Sequence, residues 1–418
     1  MSSSEKRGQI ADLGINQAQA LFSQEDGKGK ECFLDALPEL SAMEKSALAE
    51  RWKNEIEAFD ADTCHQLGTS LCELGDKLRE RAIYPVALAI LEPLMQRQED
   101  VLPLEHEEIA STSAVLGTAY VNCARYAEAM PLLRRALAIR ENVLGVDHPD
   151  VAESLSHLAN LLYFLQGGPE SLTEAEALYR RAMAIVEKKL GADHSDTAGC
   201  LNNLGNILRY KGDPESLAQA EVMYRRALAI EEQYRGWDHP HTALCLHSLA
   251  SLLVSKGDLE SALEAEDLSR RALTVWEKCR YAEHPDYAAC LSNLAFQLYR
   301  KDDYENATQA EILYRRALAI ADKVLGADHA DIAGYLVGLA HILNYMGGHQ
   351  NIAQAEVMYR NALAIVEKTR GMRHPSLAIC LDSLASFLQN KGDPESILEA
   401  ELLYRQALAI QGTAPGAH

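Results

Sequence analysis

From His194 to Asp238 the chain reads HSDTAGCLNNLGNILRYKGDPESLAQAEVMYRRALAIEEQYRGWD, and this stretch decides the fold. Leu201, Leu204 and Leu208 are spaced by three and four residues, with small Gly205 directly after Leu204. Such spacings put the three leucines on one face of an α-helix. Gly212-Asp213-Pro214-Glu215-Ser216 marks the start of a second helix. There Asp213 can cap the first turn and Pro214 suits the first helical position. Ala220, Tyr224 and Ala227 share a face of that helix, where small alanines let helices approach closely. Gly236 closes it, in the position of a left-handed terminating residue. The stretch therefore predicts a helical hairpin.

The hairpin recurs. His106, His148, His194, His239, His284, His329 and His374 follow one another at steps of 42, 46, 45, 45, 45 and 45 residues. Most stand in Asp-His-Pro or a close variant, as at Asp147-His148-Pro149. Ten residues after the histidine comes Leu158, Leu204, Leu249, Leu294, Leu339 or Leu384, and then a small residue: Ala159, Gly205, Ala250, Ala295, Ala340 or Ala385. Leu74, Gly75 and Leu78 stand 42 residues before Leu116, Gly117 and Tyr120, so a worn unit precedes the first histidine. The units expected are 64–105, 106–147, 148–193, 194–238, 239–283, 284–328, 329–373 and 374–411, with a flexible tail at 412–418. Residues 1–63 are expected to form a helical cap or extension, with two helices about the turn Gly27 to Lys30 and the better one over Met43 to Phe59. Periods of this length mean a stack of supersecondary units, not separate globular domains.

Composition narrows the function. The 418 residues carry 40 basic against 61 acidic side chains, a formal charge of −21. That balance argues against nucleic acid or an anionic membrane as general partner, since both need a positive field. The longest apolar runs are short and broken by charge, so no membrane-inserted helix is expected. The start, Met1-Ser-Ser-Ser-Glu-Lys-Arg, leads into a polar segment rather than the apolar stretch of a signal peptide. A cytoplasmic location with reduced cysteines is the default expectation.

The small residue after leucine in the first helix, with Ala-x-x-x-Tyr-x-x-Ala in the second, resembles the tetratricopeptide repeat (TPR). The Asp-His-Pro linkers and the Tyr-Arg-Arg-Ala-Leu-Ala-Ile helices are similar to the kinesin light chain subclass. The resemblance implies an all-α fold, an α-α superhelix or TPR solenoid of about eight hairpins, with first helices lining a concave face. It also implies binding of a peptide or protein segment in that groove, without catalysis. Two departures stand against a motor-adaptor role. Most units are about 45 residues, with extra residues at the hairpin turn, and the N-terminal segment lacks a long heptad coiled coil.

Candidate chemistry is sparse. A zinc ion needs three or four ligands around one point. The repeat histidines come once per unit, and packed helices lie about 10 Å apart, so neighbouring imidazoles of the column cannot share an ion. Metal ligands and cofactors are accordingly not expected. Cys200, Cys245, Cys290 and Cys380 recur six residues after their histidines and read as small buried apolar residues. The Arg-Arg pairs, such as Arg225-Arg226, have the look of a basic stripe for phosphate or nucleic acid. Yet Glu176, Glu221, Glu266, Glu311, Glu356 and Glu401 each stand four residues before an arginine, the favourable order for a helical ion pair. Gly27-Lys-Gly-Lys lacks Walker spacing, and no Gly-x-Ser-x-Gly element is present, so an enzyme is not expected.

Specificity is expected where the inner-face positions vary, eight, nine, twelve, fifteen and sixteen residues after each histidine. These positions hold His157, Asn160 and Tyr163, then Asn202, Asn203, Asn206, Arg209 and Tyr210. Farther on they hold Asn293, Phe296, Tyr299 and Arg300, then His341, Asn344 and Tyr345. Asparagine both donates and accepts, so it suits the backbone of an extended segment. Tyrosine and arginine are favoured at binding hot spots. The asparagines resemble those that grip ligand backbone in peptide-binding TPRs, and the lysines of the chaperone-tail carboxylate clamp are missing. The reading is a protein-interaction scaffold or adaptor whose partner carries a neutral or basic docking segment. The alternative is a regulatory or assembly subunit acting through residues 1–63 or through self-association.

Because stability in such stacks is a sum over neighbours, Ala250→Leu should cost about 1–3 kcal/mol by overpacking its own hairpin. Hydrogen exchange should accelerate in the middle units only; uniform acceleration across the chain would contradict this.

Overall fold

The computed structural model describes residue 37 and residues 42–413, except 81–82, 166–168, 280–283 and 371–373. The expected turn at Gly27 to Lys30 lies outside the described residues. Among those described, every element longer than a single turn is an α-helix. The chain divides into two compact units, residues 1–161 and 162–418.

The first unit contains α1 (Ala42–Glu57), α2 (Ala61–Glu80), α3 (Tyr84–Val101), α4 (Glu107–Asn122), α5 (Tyr126–Leu144) and most of α6 (Pro149–Leu165). There α2 with α3 and α4 with α5 form hairpins, and α1 lies against α3. The second unit holds α7 (Pro169–Leu190), α8 (Ser195–Lys211), α9 (Pro214–Tyr234), α10 (Pro240–Lys256), α11 (Leu259–Lys278) and α12 (Pro285–Tyr299). It continues with α13 (Tyr304–Leu325), α14 (Ala330–Met346), α15 (His349–Arg370), α16 (Pro375–Lys391) and α17 (Pro394–Thr413). Its hairpins are α8/α9, α10/α11, α12/α13, α14/α15 and α16/α17, and each later first helix packs on the second helix of the hairpin before it. First helices also touch first helices, as α8 with α10 and α10 with α12. The fold is an all-α solenoid. Among the described residues no helix is long and apolar enough to cross a membrane.

The repeat histidines start the first helices. His194 Nδ1 accepts the backbone N–H of Asp196 at 3.2 Å, and His106, His148, His239, His284, His329 and His374 do the same two residues on. Imidazole thus does the work usually given to Ser, Thr or Asp, satisfying a donor that has no partner within the helix. Second helices begin on aspartate: Asp213 accepts from Ser216 N–H at 2.9 Å, and Asp258, Asp303 and Asp393 repeat the bond. One expectation needs correction. Gly145 and Gly326 close second helices with φ of 85° but ψ of 155° and 151°, an extended conformation rather than a left-handed helical one. Only glycine adopts it readily, so the residue choice survives although the geometry differs.

The core is the strip between paired helices. Leu201, Leu204 and Leu208 are buried, as are Ala220, Tyr224 and Ala227 opposite them. A Cβ on Gly205 would stand 2.7 Å from the Tyr224 ring, so the small residue sets how closely α8 and α9 approach. The cysteine column is buried too, and Cys200, Cys245, Cys290 and Cys380 are free thiols. Burial pushes Cys245 up to about 12 and Cys380 to about 11, far from reactive thiolate.

Outside, the glutamate column pairs as its spacing implies. Glu176–Arg180, Glu221–Arg225, Glu266–Arg270, Glu311–Arg315, Glu356–Arg360 and Glu401–Arg405 all form ion pairs, at 2.7–3.6 Å. A lysine at or just past the end of the next first helix adds a second partner: Lys211 to Glu176, Lys256 to Glu221, Lys301 to Glu266 and Lys391 to Glu356. These rungs tie successive repeats together. At Glu311 the corresponding residue is Met346. Met346→Lys should therefore complete the ladder and raise stability by about 0.2–1 kcal/mol, a gain that high salt removes. Urea unfolding at low and high salt checks this, and an unchanged or lowered midpoint at low salt would contradict it.

Candidate functional site

The first helices of the second unit carry their variable residues on one shared face, because residues twelve and sixteen after the histidine are one helical turn apart. Two groups of aromatic rings stand out there. Tyr163, in the last turn of α6, meets Tyr210 of α8 edge-on at 6.1 Å and Phe164 at 5.6 Å. Tyr299 of α12 meets Tyr345 of α14 edge-on at 5.8 Å. Tyr210, Phe164, Phe296 and Tyr345 keep 38–44% of their surface exposed, although buried apolar positions lie close by. Edge-to-face contact orders such rings while leaving their faces available. Asp302 lies beside Tyr345; desolvation first and the bond to that carboxylate second raise the phenol above its usual range. Arg300, exposed at the end of α12, donates to the Val254 carbonyl at 3.0 Å.

Between the aromatic groups runs a polar network. Asn293 donates to Ser251 Oγ at 2.6 Å and accepts from Gln297 at 2.9 Å, with His247 Nδ1 at 3.5 Å. Gln297 also donates to buried Ser269 at 2.8 Å. The network links α10, α11 and α12, and it occupies the Asn293 side chain within the protein.

Three residues twelve after a repeat histidine, Asn206, His341 and Ser386, share a role that sequence reasoning missed. Tyr224 donates to Asn206 Oδ1 at 2.7 Å, the Tyr359 hydroxyl lies 2.8 Å from His341 Nδ1, and Tyr404 lies 2.9 Å from Ser386 Oγ. In each case the second-helix tyrosine follows its partner by 18 residues, which is a signal readable in the columns. Asn202, Asn203, Arg209 and Asn344 are half-buried on the same face. Asn202 Oδ1 and Arg209 Nε are enclosed without a hydrogen-bond partner. In the first unit, His157 and Asn160 are half-buried on α6. Removal from water lowers the His157 pKa, against the opposing charge of Glu153.

A cavity of about 610 Å³ opens elsewhere, lined by Leu318, Asp322, Ile332, Leu336 and Ile365. It coincides with a break in the second arginine column. Arg226, Arg271 and Arg316 reach Glu187, Glu232 and Glu277, each 39 residues earlier, but Asn361 stands opposite Asp322.

Residues 109–150, 197–241 and 288–331 match one tetratricopeptide repeat family, and residues 170–216 match a second of the same description. No curated protein is similar to the chain in sequence. Among solved structures it is similar to a Rap protein complexed with Competence and Sporulation Factor, at 14% identity, covering 98% of each chain with a TM-score of 0.60. The apo form of RapI is similar at 14% identity over 72% of this chain and 97% of that one, with a TM-score of 0.50. A Podosopora anserina protein of nearly identical kinesin-light-chain TPR-like repeats shares 22% identity over 54% of this chain and 99% of its own, with a TM-score of 0.40. Identities this low speak to the fold alone.

Two histidines make stability pH-dependent. His374 is pushed down to about 4 by burial, with Arg370 adding to it. His247 is also pushed down to about 4 by removal from water, with Asp286 opposing. Unfolded, both titrate near 6.5. The unfolded chain therefore binds more protons between about pH 6.5 and 4, and stability falls as pH drops through that window. The variant His247→Gln/His374→Asn should lose less stability than the parent when urea midpoints are compared at about pH 7.5 and 4.5. An equal loss would contradict the assignment.

Proposed function

Because the chain is a tetratricopeptide-repeat protein, we propose that it is a non-catalytic interaction scaffold that holds a protein segment along its first-helix face. The observation that carries this reading is the pair of edge-on ring groups, Tyr163/Phe164/Tyr210 and Tyr299/Tyr345, with exposed Phe296 three residues before Tyr299 on the same helix. Exposed rings of this size, fixed by edge contacts and set on rigid helices, supply contact area at low entropic cost. Half-buried Asn203 offers a polar partner for the backbone of a bound segment. One neighbour of similar fold was solved in complex with a factor, which is consistent with such use of the scaffold.

The partner segment is neutral or basic. The net charge of −21 dominates the long-range field, and Asp302 and Asp303 both act on Tyr345 within the proposed face. Apolar or aromatic anchors on the partner would fill the spaces beside the rings. Asn206 and His341, bonded to second-helix tyrosines, serve mainly to hold the face in shape.

Tyr210→Ala/Phe296→Ala/Tyr345→Ala tests the proposal, because all three side chains are substantially exposed and their loss should leave the stack folded. Affinity capture with parent and variant, compared by mass spectrometry, should show specific partners lost while thermal unfolding stays unchanged. Retention of every partner by a folded variant would overturn it.

A further inference from the structure

Two breaks in the 45-residue pattern meet at one place. Eight residues before the repeat histidine, the second helices of the second unit carry Val186, Glu231, Trp276, Ala321 and Val366. Two residues after it, the first helices carry Asp196, His241, Asp286, Asp331 and Ser376. Only the step at His239 combines a carboxylate at the first position with an imidazole at the second. The fold brings the first position against the start of the next first helix. Trp276 stacks on His284 at 5.2 Å, and in the first unit Arg140 reaches the Asp150 carbonyl at 3.0 Å.

Glu231 is 2% exposed, and it is the one carboxylate buried to this degree among the described residues. Its Oε1 accepts from Ser195 Oγ at 2.6 Å, whereas its enclosed Oε2 accepts no hydrogen bond. Arg235 Nε lies 3.3 Å from that oxygen but directs its N–H to Ser195, at 2.9 Å. One ligand atom each from Glu231, His239 and His241 lie within 4.8 Å of one another. Donors around a tetrahedral ion with bonds of about 2.0–2.2 Å stand roughly 3.4 Å apart, so adjustment of about 1 Å closes the set. His241, exposed and edge-on to the His239 ring at 5.2 Å, would supply it by rotation about its side-chain bonds.

We propose that Glu231, His239 and His241 form a divalent transition-metal site of the zinc-binding type, joining α9 to the start of α10. Two imidazoles and one carboxylate suit Zn²⁺ and leave a fourth position for water. Ligation through Nδ1 would give up the 3.2 Å hydrogen bond that His239 accepts from His241 N–H, and an ion on Glu231 Oε2 would displace Arg235, whose side chain is one-third exposed. Histidines of successive repeats stand a full helix spacing apart and cannot share an ion. This cluster lies at the junction of two adjoining helices and escapes that objection.

The experiment uses untagged full-length protein stripped with chelator. Titration calorimetry with Zn²⁺, and absorption with Co²⁺ as spectroscopic probe, should show one saturable site and a metal-dependent rise in unfolding temperature. His241→Ala, at an exposed position, and Glu231→Gln should each weaken binding by at least about tenfold. Arg235→Gln should tighten it by removing the competing cation. His148→Asn, at a repeat histidine without such neighbours, should leave it unchanged. Unaltered affinity in His241→Ala, or no saturable site in the parent protein, would overturn the proposal.

Discussion

The close approach of paired helices, set by one small residue in each first helix, is the constraint on which the rest depends. Gly205 has the Tyr224 ring directly over it, and any Cβ there would intrude to 2.7 Å. Ala250, Ala295, Ala340 and Ala385 fill the same position and are fully buried. With that spacing held, the leucine ladder of one helix meets the alanine-tyrosine face of the other. The tyrosine hydroxyl then emerges where a residue of the first helix can bond it, as Asn206 does for Tyr224. A larger residue would separate the helices and lose both the apolar contact and the polar one.

The helix ends follow from the same economy. Each short connection must start a new helix at once, and the capping histidines and aspartates satisfy the first donors of successive helices. The outer glutamates then join neighbouring repeats through lysines from the next first helix. Stability is thus distributed along the stack, and the first-helix face is left to vary.

Much of this was legible in the residues themselves. The three-and-four leucine spacing, the Asp-Pro starts and the Glu-to-Arg order each follow from local helix geometry, and the corresponding helices, caps and ion pairs are present. What escaped notice depends on where the hairpin turn brings distant residues. The partnership of Asn206, His341 and Ser386 with tyrosines 18 residues onward requires the turn to be known. So does the meeting of Glu231 with His239 and His241, which lie on opposite sides of a connection. The closing glycines illustrate a third limit: the need for positive φ could be read, but not the ψ that accompanies it.

The central claim is that partners lie along the first-helix face. Site-specific photo-crosslinking tests it most directly, with the reactive amino acid placed at Phe296 on that face or at Ile312 on α13, which is 62% exposed. The account predicts covalent capture of a partner segment from position 296 and none from 312. Capture from 312 with none from 296 would contradict it.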